Sequence, residues 1–144
     1  MKSFFKFLML PCLMLFTAVT TFAQSAETVT LTEQTFLTKC YNYNTDEVKC
    51  KKPFIIEYGA TWCSWCNKQK PVMQKIQQAY GSKIQTFYVD VDKCPQAASI
   101  FDEIQEGIPC LIFVNPAKDE YEAINGYMDE AELKEAIKEV FGIN

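Results

Sequence analysis

From position 28 onward, short apolar runs alternate with longer stretches in which apolar residues return every three or four positions. The first period belongs to buried strands and the second to helices packed on them. Residues 28–31 read as a brief strand, and 32–39 as a short helix with Thr32 as its cap. Residues 40–52 are polar, carry Asn, Asp and three lysines, and read as a loop. Pro53 then opens the run 54–58, apolar on both faces except at Glu57, as expected of a central strand covered by helices on each side. Residues 67–80 place Val72, Ile76, Ala79 and Tyr80 on one helical face, with a kink expected at Pro71 and a stop at Gly81. Residues 84–91 and 111–114 are two further core strands, the latter ended by Asn115-Pro116. Between them, 95–104 reads as a helix with Ala98, Phe101 and Ile104 inward. Residues 121–124 form an edge strand with a turn at Asn125-Gly126, and Asp129 caps a last helix striped by Leu133, Ile137, Val140 and Phe141. Helices alternating with buried strands give a three-layer α/β domain.

The stretch before this pattern has a different character. Lys2 and Lys6 precede the apolar run 7–16, broken only by Pro11, and Thr21-Phe22-Ala23 offers small residues at a cleavage site. Residues 1–23 therefore read as a cleaved signal peptide, with a retained anchor as the alternative, since the run is short for a membrane span. Lipidation at Cys12 is disfavoured by the Leu10-Pro11 context. What remains, 24–144, is the size of one domain. It holds 12 lysines against 18 acidic residues, a net charge of −6, with no arginine and no histidine. That excludes a nucleic-acid surface. It also excludes an imidazole base, a Cys–His pair and any zinc ligand of the common kind except cysteine.

Six of the seven cysteines lie beyond position 23: Cys40, Cys50, Cys63, Cys66, Cys94 and Cys110. An even number in an exported protein is compatible with disulfides, and six allow fifteen connectivities. Cys63 and Cys66, three apart between a buried strand and a helix, sit where unpaired N–H groups and the helix dipole stabilise a thiolate. Such a pair also closes on itself and stores two electrons. Cys63 is the expected attacking sulfur, and Cys66, one turn in, the sulfur that resolves the mixed disulfide. Trp62 and Trp65 flank the pair as an apolar contact surface. A structural disulfide or part of a metal site would use the same spacing, so a metal-binding or metal-delivery module using Cys63, Cys66 and Cys110 stays open, soft thiolates suiting Cu(I) or Zn. Glu57 interrupts a core strand; a buried carboxylate there would keep a raised pKa and relay a proton to or from Cys66, with a side chain that reaches solvent at the sheet margin as the alternative. Gly107-Ile108-Pro109 puts a proline at the head of a core strand, where a trans bond is the plain expectation. Cys40 and Cys50 bracket the polar loop, and a structural disulfide between them is expected. Cys94 reads as a half-exposed thiol and Cys110 as a small buried hydrophobe, with a bridge between these two an outside alternative.

Taken together, Tyr58-Gly59-Ala60-Thr61-Trp62-Cys63-Ser64-Trp65-Cys66, the helix proline Pro71, Val89-Asp90-Val91-Asp92, Gly107-Ile108-Pro109 and Gly126 resemble the thioredoxin superfamily over essentially the whole of 24–144. The resemblance implies a thioredoxin-like three-layer sandwich, a central mixed β-sheet flanked by helices. It implies a cis bond before Pro109 facing the disulfide, Ile108 pairing through its backbone with a bound substrate strand, and Glu57 at a position where the family keeps a buried acid. Ser64-Trp65 departs from the Gly-Pro usual between the cysteines of thioredoxins proper, Tyr88 holds the place where a lysine is common, the 40–52 loop is long, and Cys110 stands where threonine is usual. The function expected is an exported thiol–disulfide oxidoreductase, more a reductase than an oxidase. It would be a monomer that needs no cofactor, acts on cysteine-containing client proteins and draws electrons from a membrane or exported donor. A non-catalytic interaction domain is disfavoured because both cysteines are kept.

Overall fold

The computed structural model describes residues 27–144, so the expected signal peptide, 1–23, lies outside the described residues. Five strands form one mixed sheet in the order β1-β5-β4-β6-β7: β1 (Val29–Leu31), β5 (Gln85–Asp90), β4 (Phe54–Gly59), β6 (Cys110–Asn115) and β7 (Glu120–Asn125). β1 and β4 run parallel to β5, whereas β6 is antiparallel to β4 and β7 to β6. All six residues of β4 are buried, as a strand covered on both faces requires.

Alternation along β4 assigns its side chains to two cores. Phe54, Ile56 and Tyr58 join Phe36, Phe87, Val89, Ala97 and Ile112 on the face covered by α1 (Glu33–Lys39) and α3 (Pro95–Ala98). Ile55 joins Val72, Met73, Ile76, Phe113, Leu133 and Ile137 on the face covered by α2 (Ser64–Tyr80) and α4 (Glu130–Phe141). Glu57 and Gly59 share the α2 side by the same alternation. Local chemistry sets the helix starts. Thr32 and Thr35 close a reciprocal capping box on α1, and Asp129 and Glu132 another on α4.

Four features differ from the sequence expectation. The 40–52 loop contains a small hairpin, β2 (Tyr41–Asn42) against β3 (Glu47–Val48). The bridge expected between Cys40 and Cys50 is not formed, and both are free thiols. The hairpin register explains this: continuing the Tyr41–Val48 pair outward sets Cys40 opposite Lys49, whose N–H donates to the Cys40 carbonyl at 2.8 Å, leaving Cys50 one position out. The expected helix 95–104 splits into α3 and a 3-10 turn, Asp102–Glu106, because Phe101 turns extended. Its ring fits edge-on between Tyr58 and Tyr121, at 6.0 and 5.0 Å. On α2 the buried residues are Cys66, Gln69, Val72, Met73, Ile76 and Gln77, while Ala79 is exposed. Gly81 ends that helix with a right-handed φ of −58°. Its need for glycine is steric instead: a Cβ would stand 2.5 Å from the Gln77 carbonyl oxygen.

Candidate active site

β4 delivers the chain to Gly59, and a short turn, with Cys63 N–H donating to the Ala60 carbonyl at 3.2 Å, brings it to the start of α2. Helical geometry begins at Ser64 and not after Cys66, so Cys63 is the N-cap. Its sulfur takes the part of a capping acceptor, receiving the Cys66 N–H at 3.2 Å. Cys63 and Cys66 are joined as a disulfide, with Cα atoms 5.3 Å apart. The two sulfurs are not equivalent: Cys63 is 7% exposed and Cys66 is completely buried. A helix N-terminus favours negative charge on the first of them.

Across the disulfide lies the Gly107–Pro109 corner. The Ile108–Pro109 peptide is cis, and the Ile108 carbonyl oxygen stands 3.8 Å from Cys63 Sγ. Asn125 Nδ2 donates to the carbonyls of Gly107 and Glu103, both at 2.8 Å, and Gly126 N–H donates to that of Pro109 at 2.8 Å, so β7 braces this corner. The Ile108 N–H makes no backbone hydrogen bond among the described residues. Beside it a cleft of about 350 Å³ is lined by Trp62, Val91, Ala98, Ile104 and Ile108.

Trp62 and Trp65 stand on either side of the pair as exposed aromatics, 71% and 53% accessible. Trp62 is oriented by its indole N–H, which donates to Asp92 at 2.8 Å. Trp65 packs on Tyr127 with ring centroids 5.6 Å apart, and the Lys68 ammonium sits 4.2 Å above the Trp65 ring. Tyr127 is held there by paired hydrogen bonds between Gln69 and the backbone of Met128, at 2.8 and 3.1 Å.

Glu57 lies behind the pair. It is completely buried, in register with Tyr88 on β5 and Leu111 on β6, and neither carboxylate oxygen has a hydrogen-bond partner among the described residues. Burial pushes its pKa up to about 8, offset in part by the positive charge of Lys70. It lines a cavity of about 750 Å³ together with Tyr88, Lys70, Asp90, Lys93 and several threonines. Gly59 joins this cavity to the disulfide. A Cβ there would meet Cys66 Cβ at 3.0 Å, Tyr88 Cε2 at 3.1 Å and Cys66 Sγ at 3.2 Å, so the missing side chain leaves room for Cys66 and the Tyr88 ring against this strand end.

The remaining cysteines stand apart from the site. Cys40, Cys94 and Cys110 are buried in the α1/α3 core, while Cys63 and Cys66 form a separate cluster with Ala60. Burial raises the thiol pKa of Cys40 and pushes that of Cys110 up to about 11, which makes both poor nucleophiles. Cys94, expected half-exposed, is buried, with its sulfur 3.6 Å from the Leu31 carbonyl oxygen. Cys110 is thus not a third thiolate beside the pair, and among the described residues no three Cys, Asp or Glu side chains converge as a metal-ligand set. Sequence reasoning placed Cys63, Cys66, Glu57, Trp62, Trp65, Ile108 and Pro109 at one locus, and the structure brings all seven to the same end of the sheet. It left Lys68, Lys70, Tyr127 and Asn125 without a role; Tyr88, standing where lysine is common, was the one signal of a rearranged surrounding.

The thioredoxin family profile matches residues 28–139. The chain is 27% identical over 117 residues to a thioredoxin of Borreliella burgdorferi, covering 79% of this chain and 97% of that one. It is 26% identical over 113 residues to a thioredoxin of Alicyclobacillus acidocaldarius, covering 78% and 97%. Among solved structures, a mutant thioredoxin from Halobacterium salinarum superposes with a TM-score of 0.62 at 24% identity, covering 81% of this chain and 93% of that one. A chloroplastic thioredoxin z superposes with a TM-score of 0.63 at 15% identity over 81% and 96%. With a closed Cys63–Cys66 disulfide at the start of α2, this chain belongs to the thioredoxin family and is a protein-disulfide oxidoreductase.

Proposed function

We propose that the protein works outside the cytoplasm as a reductase of disulfides in client proteins. The observation that carries the direction of attack is the inequality of the two sulfurs: Cys63 caps the helix and keeps a slight exposure, whereas Cys66 is completely buried, on the side of the sheet that holds an unpartnered carboxylate. In the reduced protein the Cys63 thiolate attacks one sulfur of a client disulfide, forming a mixed disulfide and expelling the other client sulfur as a thiolate, which takes a proton from water. Cys66 then gives its proton to Glu57, attacks Cys63 Sγ and expels the second client sulfur, which is protonated in turn. Two electrons pass to the client and the Cys63–Cys66 disulfide remains. The client strand lies in the cleft between Trp62 and Ile108, paired with the Ile108 N–H. Reduction, and not oxidation, is supported by the buried acid and by the absence of a histidine between the cysteines to stabilise the reduced form further. The charged head, apolar run and Thr21-Phe22-Ala23 site support export. An electron donor at the membrane or beyond it then has to reopen the disulfide.

Two measurements test this. The potential of the Cys63–Cys66 couple against glutathione is expected near the roughly −270 mV of thioredoxins; a value near about −120 mV would mark an oxidant. N-terminal sequencing of the full chain after expression in a Gram-negative host is expected to start at Gln24 in the periplasmic fraction; a cytoplasmic product starting at Met1 would refute export.

A further inference from the structure

The cavity behind the disulfide contains a cation that the mechanism above does not use. Lys70 lies on α2 one turn beyond Cys66, half-buried, with its ammonium 4.2 Å from the centroid of the Tyr88 ring. Tyr88 is the residue registered beside Glu57 on the neighbouring strand, and its ring edge and Cys66 Sγ both crowd the place where a side chain on Gly59 would stand, at 3.1 and 3.2 Å from it. Lys70, Tyr88, Glu57 and Cys66 thus form a continuous set running from the helix to the sheet.

The groups facing Glu57 divide clearly. From α2 come Lys70, Gln74 and Cys66; from β5 come Tyr88 and Asp90; from the turn after β5 come Lys93 and Cys94; β6 offers only Leu111, and β1 with its flanks only Leu31 and threonines. Lys93 lies 3.8 Å from Asp90 and is spent on that carboxylate. Among the described residues Lys70 makes no ion pair with any acid, so its charge is free to act on Glu57. An aromatic face holds an ammonium without neutralising it. The phenol oxygen of Tyr88 has no partner among the described residues either, so the ring serves as a platform and not as a hydrogen-bond donor to the acid.

We propose that Lys70 is a positioning residue for proton transfer at Cys66: seated on the Tyr88 ring inside the cavity that holds Glu57, its ammonium stabilises the ionised carboxylate that accepts the thiol proton. This rests on the reading that Glu57 relays that proton. The covalent steps are unchanged. The proton leaves Cys66 for Glu57 as the Cys66 sulfur attacks Cys63, and Lys70 takes no part in the bond changes. Without the cation the buried carboxyl holds its proton to higher pH, and fewer molecules have a base ready near neutrality.

The test has two readouts. The first is the ¹³C carboxyl titration of Glu57 in the oxidised protein, where no active-site thiol titrates. Lys70→Met is expected to tighten proton binding at Glu57 about three- to tenfold, a midpoint about half to one pH unit higher. Lys70→Arg is expected to restore the wild-type midpoint, and Tyr88→Leu to raise it by releasing the ammonium from its seat. The second readout is the pH profile of insulin-disulfide reduction, which is expected to shift alkaline in Lys70→Met by the same interval and to lose that inflection in Glu57→Gln. An unmoved Glu57 midpoint in Lys70→Met, beside a Glu57→Gln profile that has lost its inflection, overturns the role of Lys70 and leaves the relay standing. A Glu57→Gln profile identical to wild type overturns the relay, and the positioning role with it, even where the Lys70→Met midpoint moves.

Discussion

Glu57→Gln is expected to stabilise the oxidised protein, and by an amount that grows with pH. Glu57 is completely inside the protein with no hydrogen-bond partner among the described residues, and its folded-state pKa stands near 8 against an ordinary 4.5. Between those two values the folded state binds more protons at this site than the unfolded state, so stability falls as pH rises. The sign is that of a raised carboxyl: its ionisation costs the fold nothing below about pH 4.5, costs progressively more through the window, and costs a constant amount above about pH 8. The slope is about 1.4 kcal/mol per pH unit, which gives roughly 4–5 kcal/mol over the whole window. Glutamine keeps the shape and cannot ionise. Urea unfolding of both proteins at intervals from pH 4 to 9, with the disulfide intact, reads the difference directly. A ΔΔG that is flat across the range would refute the reasoning, because a packing or hydrogen-bonding effect of the amide has no reason to follow that titration. A difference still growing at pH 9 would mean that the carboxyl is buried more deeply than its surroundings indicate.

Cys66→Ser is expected to stall at the mixed disulfide, so incubation with a disulfide-bonded peptide should yield an adduct on Cys63 by intact mass, whereas Cys63→Ser should yield none and lose reductase activity. Gly59→Ala is expected to cost about 1–3 kcal/mol in urea unfolding through overpacking, since its Cβ would stand 3.0 Å from Cys66 Cβ and 3.1 Å from the Tyr88 ring; an unchanged midpoint would refute the close approach. The chain from Gln24 onward, oxidised and then denatured without reductant, is expected to present four thiols to a thiol reagent, those of Cys40, Cys50, Cys94 and Cys110; two would mean that a second disulfide had closed.

The layered fold was legible because its signals are local or periodic. The run 54–58 could only be a central strand, and the stripe Leu133, Ile137 and Phe141 could only face a sheet. What sequence could not supply were features set by distant partners. Phe101 leaves a helical pattern because a gap between Tyr58 and Tyr121 accepts its ring. The 40–52 segment has no apolar alternation, so a hairpin of two-residue strands left no trace in the pattern, and with it went the register that separates Cys40 from Cys50. The placement of Glu57 behind the pair followed from parity along one strand. The placement of Lys70 did not, because nothing in a helical lysine before a proline says which ring it will cover.

The asymmetry of the two sulfurs traces to where α2 begins. A helix starting after Cys66 would leave both cysteines in a loop with similar surroundings. Starting at Ser64, it makes Cys63 the cap and sets Cys66 three residues into the first turn, so the N–H of the second cysteine points at the sulfur of the first. In the dithiol state that N–H and the helix dipole favour a thiolate on Cys63. Cys66 donates that stabilisation and receives none, and it is the more buried of the two. Burial in general disfavours the charged form of a thiol. A thiol of that kind needs a base of comparable strength, because proton transfer is most effective between groups of matched pKa. An ordinary surface carboxylate would fall about four units short. Glu57, held near 8 by burial, is a stronger base than that, as the proposed relay requires. On the proposed relay, the acid buried in the centre of the sheet, at a cost to the fold, is what takes the proton from the buried sulfur.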